Sequence, residues 1–133
     1  MHTIGIDWGT SAVRAYRFAP DGRVEDVARA PLGIQALNAD HPATASRFDE
    51  VFSSLVAPWR ESAHPVVIAC GMVGSAHGWR EVPYVDVPAD PIAIGRSAAA
   101  VQSQAGLEVR ILPGLVQRGS AADVMRGEET QVV

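Results

Sequence analysis

Near its start the chain reads Thr3-Ile4-Gly5-Ile6-Asp7 and continues with Trp8-Gly9-Thr10-Ser11. The first run is short and apolar and ends in a carboxylate, which predicts a buried strand, and the glycine that follows predicts a loop. From Ala12 to Phe18, apolar residues alternate imperfectly with arginines, a pattern typical of a half-buried antiparallel strand. The chain is therefore predicted to begin with two strands joined by a tight loop.

A third strand is predicted directly after these two. Pro20-Asp21-Gly22 predicts a turn, because proline presets φ and glycine takes the positive-φ position. Val24 to Ala30 then has the composition of a strand. A three-stranded meander at this point excludes the dinucleotide-binding folds, which begin strand, helix, strand.

The rest of the chain alternates helices and strands. Between Ala43 and Val56, apolar residues recur at helical spacing and stop before Pro58, which predicts an amphipathic helix. Val66 to Cys70 is a β-branched run typical of a central strand buried on both faces. The other predicted segments are loops over Pro31–Pro42 and Gly71–Asp90, a helix over Ile92–Gln104, a strand over Val109–Leu112 and a helix from Asp123 to Val133.

This order of elements, β-β-β-α-β-α-β-α, predicts an α/β fold with a mixed five-stranded sheet of the ribonuclease-H-like type. The length of 133 residues suits one domain. The last predicted helix reaches Gln131-Val132-Val133 without a cap or a polar tail. We therefore expect the native chain to continue.

Composition and charge exclude several classes of function. The chain carries 15 acidic and 11 basic residues and a net charge of -4, whereas a nucleic-acid groove needs a basic surface. Every basic residue is an arginine. Walker-type phosphate loops and Schiff-base enzymes both need lysine, so neither mechanism can reside in this chain.

The cysteine content and the N-terminus indicate a cytoplasmic protein. Cys70 is alone, so it can form neither an internal disulfide nor a thiolate zinc cluster. The first residues lack the basic and apolar regions of a secretory signal. The longest strongly apolar run, Val66 to Cys70, is too short to span a bilayer, so no membrane partner is expected.

The residues after the first strand suit phosphate chemistry. Asp7 offers a charge for Mg²⁺, and Gly9 allows backbone N–H groups to approach a phosphate because it has no Cβ. Thr10 and Ser11 add hydroxyl donors. The alternative is an ordinary hairpin with an Asx-type cap.

Together with the element order, these residues resemble the first phosphate loop of the sugar-kinase, heat-shock-protein and actin superfamily. Further segments resemble the 2-dehydro-3-deoxygalactonokinase family over essentially the whole chain. The most specific is the closing Met-Arg-Gly-Glu-Glu-Thr-Gln run, residues 125–131. The others are Cys70-Gly71-Met72-Val73-Gly74-Ser75, Gly78-Trp79, Pro83-Tyr84 and Ile111-Leu112-Pro113-Gly114-Leu115.

The resemblance implies ATP-dependent phosphorylation of the 6-hydroxyl of 2-dehydro-3-deoxy-D-galactonate in galactonate catabolism. It implies two lobes, of which residues 1–133 form the N-terminal one, and a second lobe that holds the nucleotide. Asp7 would act on Mg²⁺ directly or through water, and Gly9, Thr10 and Ser11 would lie near the transferring phosphate. Phosphoryl transfer depends mainly on alignment and charge neutralisation, which these groups would supply.

Such a kinase also needs a carboxylate that orients the acceptor hydroxyl or takes its proton. Asp123, Glu128 and Glu129 lie near the predicted start of the last helix, from which related folds present their catalytic acid. Glu128 is preferred because Gly127 lets the chain turn just before it, and Asp123 follows closely. Alternatively, Glu128 and Glu129 are first-turn acids that stabilise the helix dipole.

The loop from Gly71 to Tyr84 is the predicted wall of the sugar-acid site. Its glycines free backbone N–H groups, Trp79 or Tyr84 would stack on the carbon chain, and His77 is expected to be exposed. An arginine would bind the substrate carboxylate through two parallel hydrogen bonds. The predicted substrate-binding residues are Gly71, Gly74, Ser75, Trp79, Tyr84, Arg14 and Arg126. The alternatives are packing for Trp79 and a surface role for either arginine.

Two other functions remain open at this point. A phosphohydrolase of the same superfamily, similar to an exopolyphosphatase, would replace the sugar by water. A lobe standing alone would bind a sugar acid or a partner without transferring phosphate. The protein partners left open are the chain's own C-terminal lobe and a second copy of the chain.

Overall fold

The computed structural model describes residues 2–59, 65–117 and 123–125. Within these residues, no helix is long and apolar enough to cross a bilayer. The strands are β1 (Thr3–Trp8), β2 (Val13–Phe18), β3 (Val24–Ala30), β4 (Val66–Gly71), β5 (Val85–Asp86), β6 (Ala99–Gln102), β7 (Glu108–Ile111), β8 (Leu115–Gln117) and β9 (Asp123–Met125). The helices are α1 (Ile34–Leu37), α2 (Ala45–Val56) and α3 (Pro91–Arg96), with short 3-10 turns at Ala57–Trp59 and Met72–Gly74.

Six strands form one mixed sheet in the order β3-β2-β1-β4-β7-β6. β1 pairs antiparallel with β2 and parallel with β4, and β4 pairs parallel with β7. β6 adds antiparallel to β7 at the edge, and β5, β8 and β9 form a separate three-stranded sheet. The protein is therefore of the mixed α/β class, with β1 and β4 at the centre of the main sheet.

Alternation along β1 decides which face of the sheet is the core. Ile4, Ile6 and Trp8 are at most 2% exposed, whereas Gly5 and Asp7 are only half-buried. Successive side chains of a strand point to opposite faces, so the apolar set packs into the core. Asp7 consequently lies on the other face of the sheet.

Helix α2 begins at a capping threonine and packs on the core face. The Thr44 side chain accepts from the Arg47 N–H at 3.3 Å, a cap that contributes about 1 kcal/mol. Its buried residues, Phe48, Val51, Phe52 and Val56, recur at helical spacing. Full burial of one such side chain contributes roughly 1.5–3 kcal/mol. Burial of this face, more than the cap, therefore holds α2 on the sheet.

The predicted meander, first long helix and central strand are confirmed. β3 has the predicted bounds, β4 extends the predicted strand by one residue to Gly71, and α2 lies within the predicted helix. The turn between β2 and β3 has Gly22 at φ 89°, and Asp21 Oδ1 accepts from the Arg23 N–H at 2.9 Å.

The predicted helix over Ile92–Gln104 is confirmed for residues 92–96 and wrong beyond them. Helix α3 ends at Arg96, and Ala99–Gln102 forms strand β6. Ala99 lies opposite Ile111, and Val101 lies opposite Val109. Pairing with β7 satisfies the backbone of this segment and overrides the helix propensity of the alanine run.

The predicted sheet and its C-terminal part also need correction. The main sheet has six strands because β6 joins it, not five. Asp123 lies in strand β9, which pairs with β8, and not at the start of a helix. The segment from Gly71 to Asp90 contains a 3-10 turn and the two-residue strand β5.

A side-chain hydrogen bond ties β3 to the chain just after α2. Trp59 Nε1–H donates to Asp26 Oδ2 at 3.0 Å, and the Val27 N–H donates to Asp26 Oδ1 at 2.9 Å. The Trp59 bond is the largest cause of a lowered pKa at Asp26, followed by the Val27 bond. Burial acts in the opposite direction, and the Arg17 charge lowers the pKa further.

We predict that Trp59→Phe raises the pKa of Asp26 toward its ordinary value of 3.8. Because the pKa of Asp26 is depressed in the folded state, its contribution to stability is present above the unfolded-state value and is lost as the pH falls through the folded value. The difference in stability between parent and variant should therefore shrink below about pH 4. NMR titration of the carboxyl carbon measures the shift, and an unchanged pKa of Asp26 in the variant would contradict the assignment.

Candidate active site

The carboxyl ends of two parallel strands define the candidate site. Trp8 at the end of β1 lies opposite Gly71 at the end of β4. Gly71 has φ 101°, and a Cβ at this position would lie 2.7 Å from the Trp8 carbonyl oxygen. Only glycine tolerates both the conformation and the close approach. In open α/β sheets, ligands bind beyond such strand ends.

The loop after β1 is a tight hairpin that exposes two hydroxyl residues. The Gly9 N–H donates to the Ala12 carbonyl at 3.0 Å, so this donor is used inside the hairpin. Thr10 and Ser11 are exposed. A Cβ at Gly9 would meet only the Ala12 carbonyl oxygen, at 3.8 Å, so the loop is open above it. The hairpin can therefore offer the Thr10 and Ser11 hydroxyls to a phosphate.

Helix α1 holds this hairpin from behind. The Ile34 N–H donates to the Gly9 carbonyl and the Gln35 N–H to the Thr10 carbonyl, each at 3.0 Å. The backbone at Gly33 lies so close to the hairpin that a Cβ there would be only 2.4 Å from the Thr10 carbonyl oxygen. Trp8 Nε1–H also donates to the Leu32 carbonyl at 3.0 Å. The segment from Leu32 to Gln35 therefore fixes the position of the hairpin.

Asp7 lies on the sheet face away from α2, between two neighbours in register. Arg14 of β2 is its partner on one side and Cys70 of β4 on the other. Asp7, Arg14 and Cys70 line one groove of about 640 Å³. In the part of the chain that the structure describes, the Asp7 carboxylate has no hydrogen bond or ion pair. The structure thus brings together two residues predicted for different roles, a metal ligand and a substrate-binding arginine.

Trp79 belongs to the core, which corrects its predicted stacking on the substrate. It is 9% exposed. Its ring lies 6.3 Å from that of Trp8 in an edge contact and 5.7 Å from that of Phe52. Its ring therefore packs against aromatic residues of the core, which agrees with the alternative that Trp79 is a packing residue.

The remaining predicted residues of the 71–84 loop differ in exposure. Gly71 and Gly74 are buried, and the Gly74 carbonyl accepts from the Val82 N–H at 2.9 Å. Ser75 Oγ accepts from the His77 N–H at 3.3 Å, so this hydroxyl helps to organise the loop. Tyr84 is 41% exposed, so part of its side chain faces solvent.

The predicted acids and the second arginine lie at or beyond the limit of description. The backbone of Asp123 lies in β9. Arg126, Glu128 and Glu129 lie outside the described residues, and their roles stay predictions. Where the chain is described, no group of three His, Cys, Asp or Glu side chains could hold a metal ion together.

Sequence reasoning missed Asn38, which joins the segment around α1 to the 71–84 loop. Asn38 Nδ2–H donates to the Ile34 carbonyl at 2.9 Å and to the His77 carbonyl at 3.1 Å, and Asn38 Oδ1 accepts from the Ala43 N–H at 2.9 Å. This one amide connects α1, the segment before α2 and the 71–84 loop. The glycine before Ile34–Leu37 and the asparagine after it were the available signal for a short helix, but nothing local indicates the contact with His77.

Comparison with known proteins identifies the family. The sequence model described as 2-keto-3-deoxy-galactonokinase matches residues 7–133. The chain therefore belongs to the 2-keto-3-deoxy-galactonokinase family, which confirms the resemblance seen in the sequence.

Individual relatives agree with this assignment. The chain is 39% identical over 131 residues to the 2-dehydro-3-deoxygalactonokinase of Escherichia coli (strain K12), covering 98% of this chain and 41% of that protein. It is 36% identical over 129 residues to a Rhizobium meliloti (strain 1021) protein named Probable 2-dehydro-3-deoxygalactonokinase DgoK1, covering 96% of this chain and 40% of that protein. A crystal structure of a Sinorhizobium meliloti protein assigned as a 2-dehydro-3-deoxygalactonokinase superposes with a TM-score of 0.80 at 35% identity, covering 98% of this chain and 41% of that one. The chain thus spans about two fifths of the length of these relatives.

We predict that Gly33→Ala destabilises the protein by about 1–3 kcal/mol, because the new methyl group must push the hairpin away from α1. Gly95→Ala is the matched control, since a Cβ there meets nothing within 4 Å. In helix α3 this control should be neutral or stabilising by up to about 1 kcal/mol. Urea denaturation of both variants measures the difference, and equal effects would refute the close packing of Gly33.

Proposed function

We propose that this chain is the N-terminal lobe of a kinase that transfers a phosphoryl group from ATP to the 6-hydroxyl of 2-dehydro-3-deoxy-D-galactonate. Membership of the family supports this activity, and the Escherichia coli relative is named as a 2-dehydro-3-deoxygalactonokinase. The observation that carries the proposal is the Asp7 carboxylate at the end of β1, followed by the exposed Thr10 and Ser11. ATP as the donor assigns the reaction to the cytoplasm.

The proposal includes a ribonuclease-H-like fold for the lobe. The meander β1 to β3, followed by the parallel strands β4 and β7, supports that type, with β6 as an added edge strand. The chain's own C-terminal lobe would supply the adenosine site. The short match to the relatives supports this division, because more than half of their length lies outside it.

The residues present fit a magnesium ion held mainly through water. Mg²⁺ keeps several waters and is usually bound by one or two carboxylates together with substrate phosphates. A single half-buried carboxylate at Asp7 matches that need better than it matches a protein cage of ligands. When bound, the ion would neutralise charge on the phosphates of ATP.

The chain's own groups would align the reaction. The bond from the acceptor 6-oxygen to the γ-phosphorus forms as the bond to the β–γ bridging oxygen breaks, and ADP leaves. Thr10 and Ser11 would donate to the transferring phosphoryl group, and Arg14 or Arg126 would pair with the substrate carboxylate. The proton of the 6-hydroxyl would pass to a carboxylate, for which Glu128 is the first candidate and Asp123 and Glu129 are the others.

We predict that Asp7→Asn lowers acceptor-dependent ADP formation by about 100-fold or more, because it removes the carboxylate that would hold the magnesium ion, and with it the neutralisation of charge on the transferring phosphoryl group. The full-length protein is assayed with ATP, Mg²⁺ and 2-dehydro-3-deoxygalactonate in a coupled assay. Asp40→Asn, at an exposed aspartate, is the matched control and should keep parent activity.

Three other outcomes would change the proposal. Phosphate release that does not depend on the sugar acid would favour the phosphohydrolase. Binding of the sugar acid without any ADP formation would favour a binding lobe. Parent-level activity in Asp7→Asn would remove Asp7 from the proposed site while leaving the kinase itself intact.

A further inference from the structure

We propose that the groove between the Thr10 hairpin and the 71–84 loop is the subsite for the acceptor's carbon chain, with Gln35 and His77 as its polar contacts. This inference rests on the proposed function and deepens it. Nothing in the sequence motifs pointed to Gln35, and His77 was expected only to be exposed. The structure brings both to one groove of about 510 Å³, which Thr10 also lines.

Hydrogen bonds hold the two walls of the groove in place. On one side, the Gln35 N–H bonds the Thr10 carbonyl at 3.0 Å, so Gln35 is held beside the predicted phosphate loop. On the other side, Asn38 Nδ2–H bonds the His77 carbonyl at 3.1 Å. Asn38 is thus a positioning residue, which sets the distance between the walls without being needed as a ligand.

The lining of the groove suits a polyhydroxy acid that carries a deoxy carbon. The Gln35 amide and the His77 imidazole can each donate and accept a hydrogen bond, as sugar hydroxyls require. Ile34 and Met72 add apolar surface on which a methylene group can pack. A 2-dehydro-3-deoxy acid presents both kinds of surface, hydroxyls at carbons 4 to 6 and a methylene at carbon 3.

The size and position of the groove agree with this ligand. Its volume lies within the range of roughly 300–1,000 Å³ that is typical of small-molecule sites. Thr10 lines the groove and also belongs to the predicted phosphate loop. A carbon chain bound here would therefore have one end next to the transferring phosphoryl group.

The test compares polar-to-apolar variants of the full-length kinase with matched controls. Gln35→Leu and His77→Leu should each raise the KM for 2-dehydro-3-deoxygalactonate about 5- to 10-fold, while the KM for ATP stays within about twofold, since each removes a hydrogen bond to the acceptor alone. The controls are Gln104→Leu and His2→Leu, on residues that do not line the groove. Both controls should keep the parent's kinetic constants.

A binding measurement on the parent protein gives a second readout that needs no activity. The His77 imidazole signal, assigned by its loss in the variant, should shift when 2-dehydro-3-deoxygalactonate is added, and the His2 signal should not. If the parent forms ADP with the acceptor but the variants keep its KM and the His77 signal does not move, the groove is refuted and the kinase stands. If the parent forms no ADP, the proposed kinase fails, and the His77 signal alone then decides whether the groove binds the sugar acid.

Discussion

The parallel pairing of β1 with β4 is the interaction on which the rest of the structure depends. It places Trp8 beside Gly71 at the carboxyl ends of the two strands. The loops that follow these strands, which are distant in sequence, are thereby brought together. The approach is close enough that a side chain at position 71 would collide with the Trp8 carbonyl oxygen, 2.7 Å away. The candidate site exists because these strand ends meet.

Trp8 connects these strand ends to the core. Its ring lies 5.3 Å from that of Phe48 and 6.3 Å from that of Trp79, while its Nε1–H bonds the Leu32 carbonyl. Aromatic pairs of this kind contribute about 0.5–1.5 kcal/mol beyond the area that they bury. One side chain thus joins the sheet, α2, the 71–84 loop and the segment before α1. Phosphoryl transfer depends on alignment, so a close-packed base below the loops serves the proposed chemistry.

The two faces of the main sheet have different roles. The face toward α2 is filled by buried aliphatic and aromatic residues, and Ile4, Ile6 and Trp8 of β1 belong to it. The opposite face carries Asp7 between Arg14 and Cys70. The period of two along β1 accounts for this separation, because it sends every second residue to the core and leaves the carboxylate outside. Stability and proposed function therefore use alternate residues of the same strand.

By itself, the sequence determined the opening meander with the Thr10 hairpin after β1, and the helix over Ala45–Val56. Its motifs also indicated the family to which the chain belongs. These features depend on periodicity and motifs carried by neighbouring residues. Only the tertiary structure decided that Ala99–Gln102 is a strand, because its pairing with β7 outweighs local helix propensity. It likewise decided that Trp79 is buried and that Gln35 and His77 share a groove with Thr10. Contacts between residues far apart in the chain create these features, and no local pattern encodes such contacts.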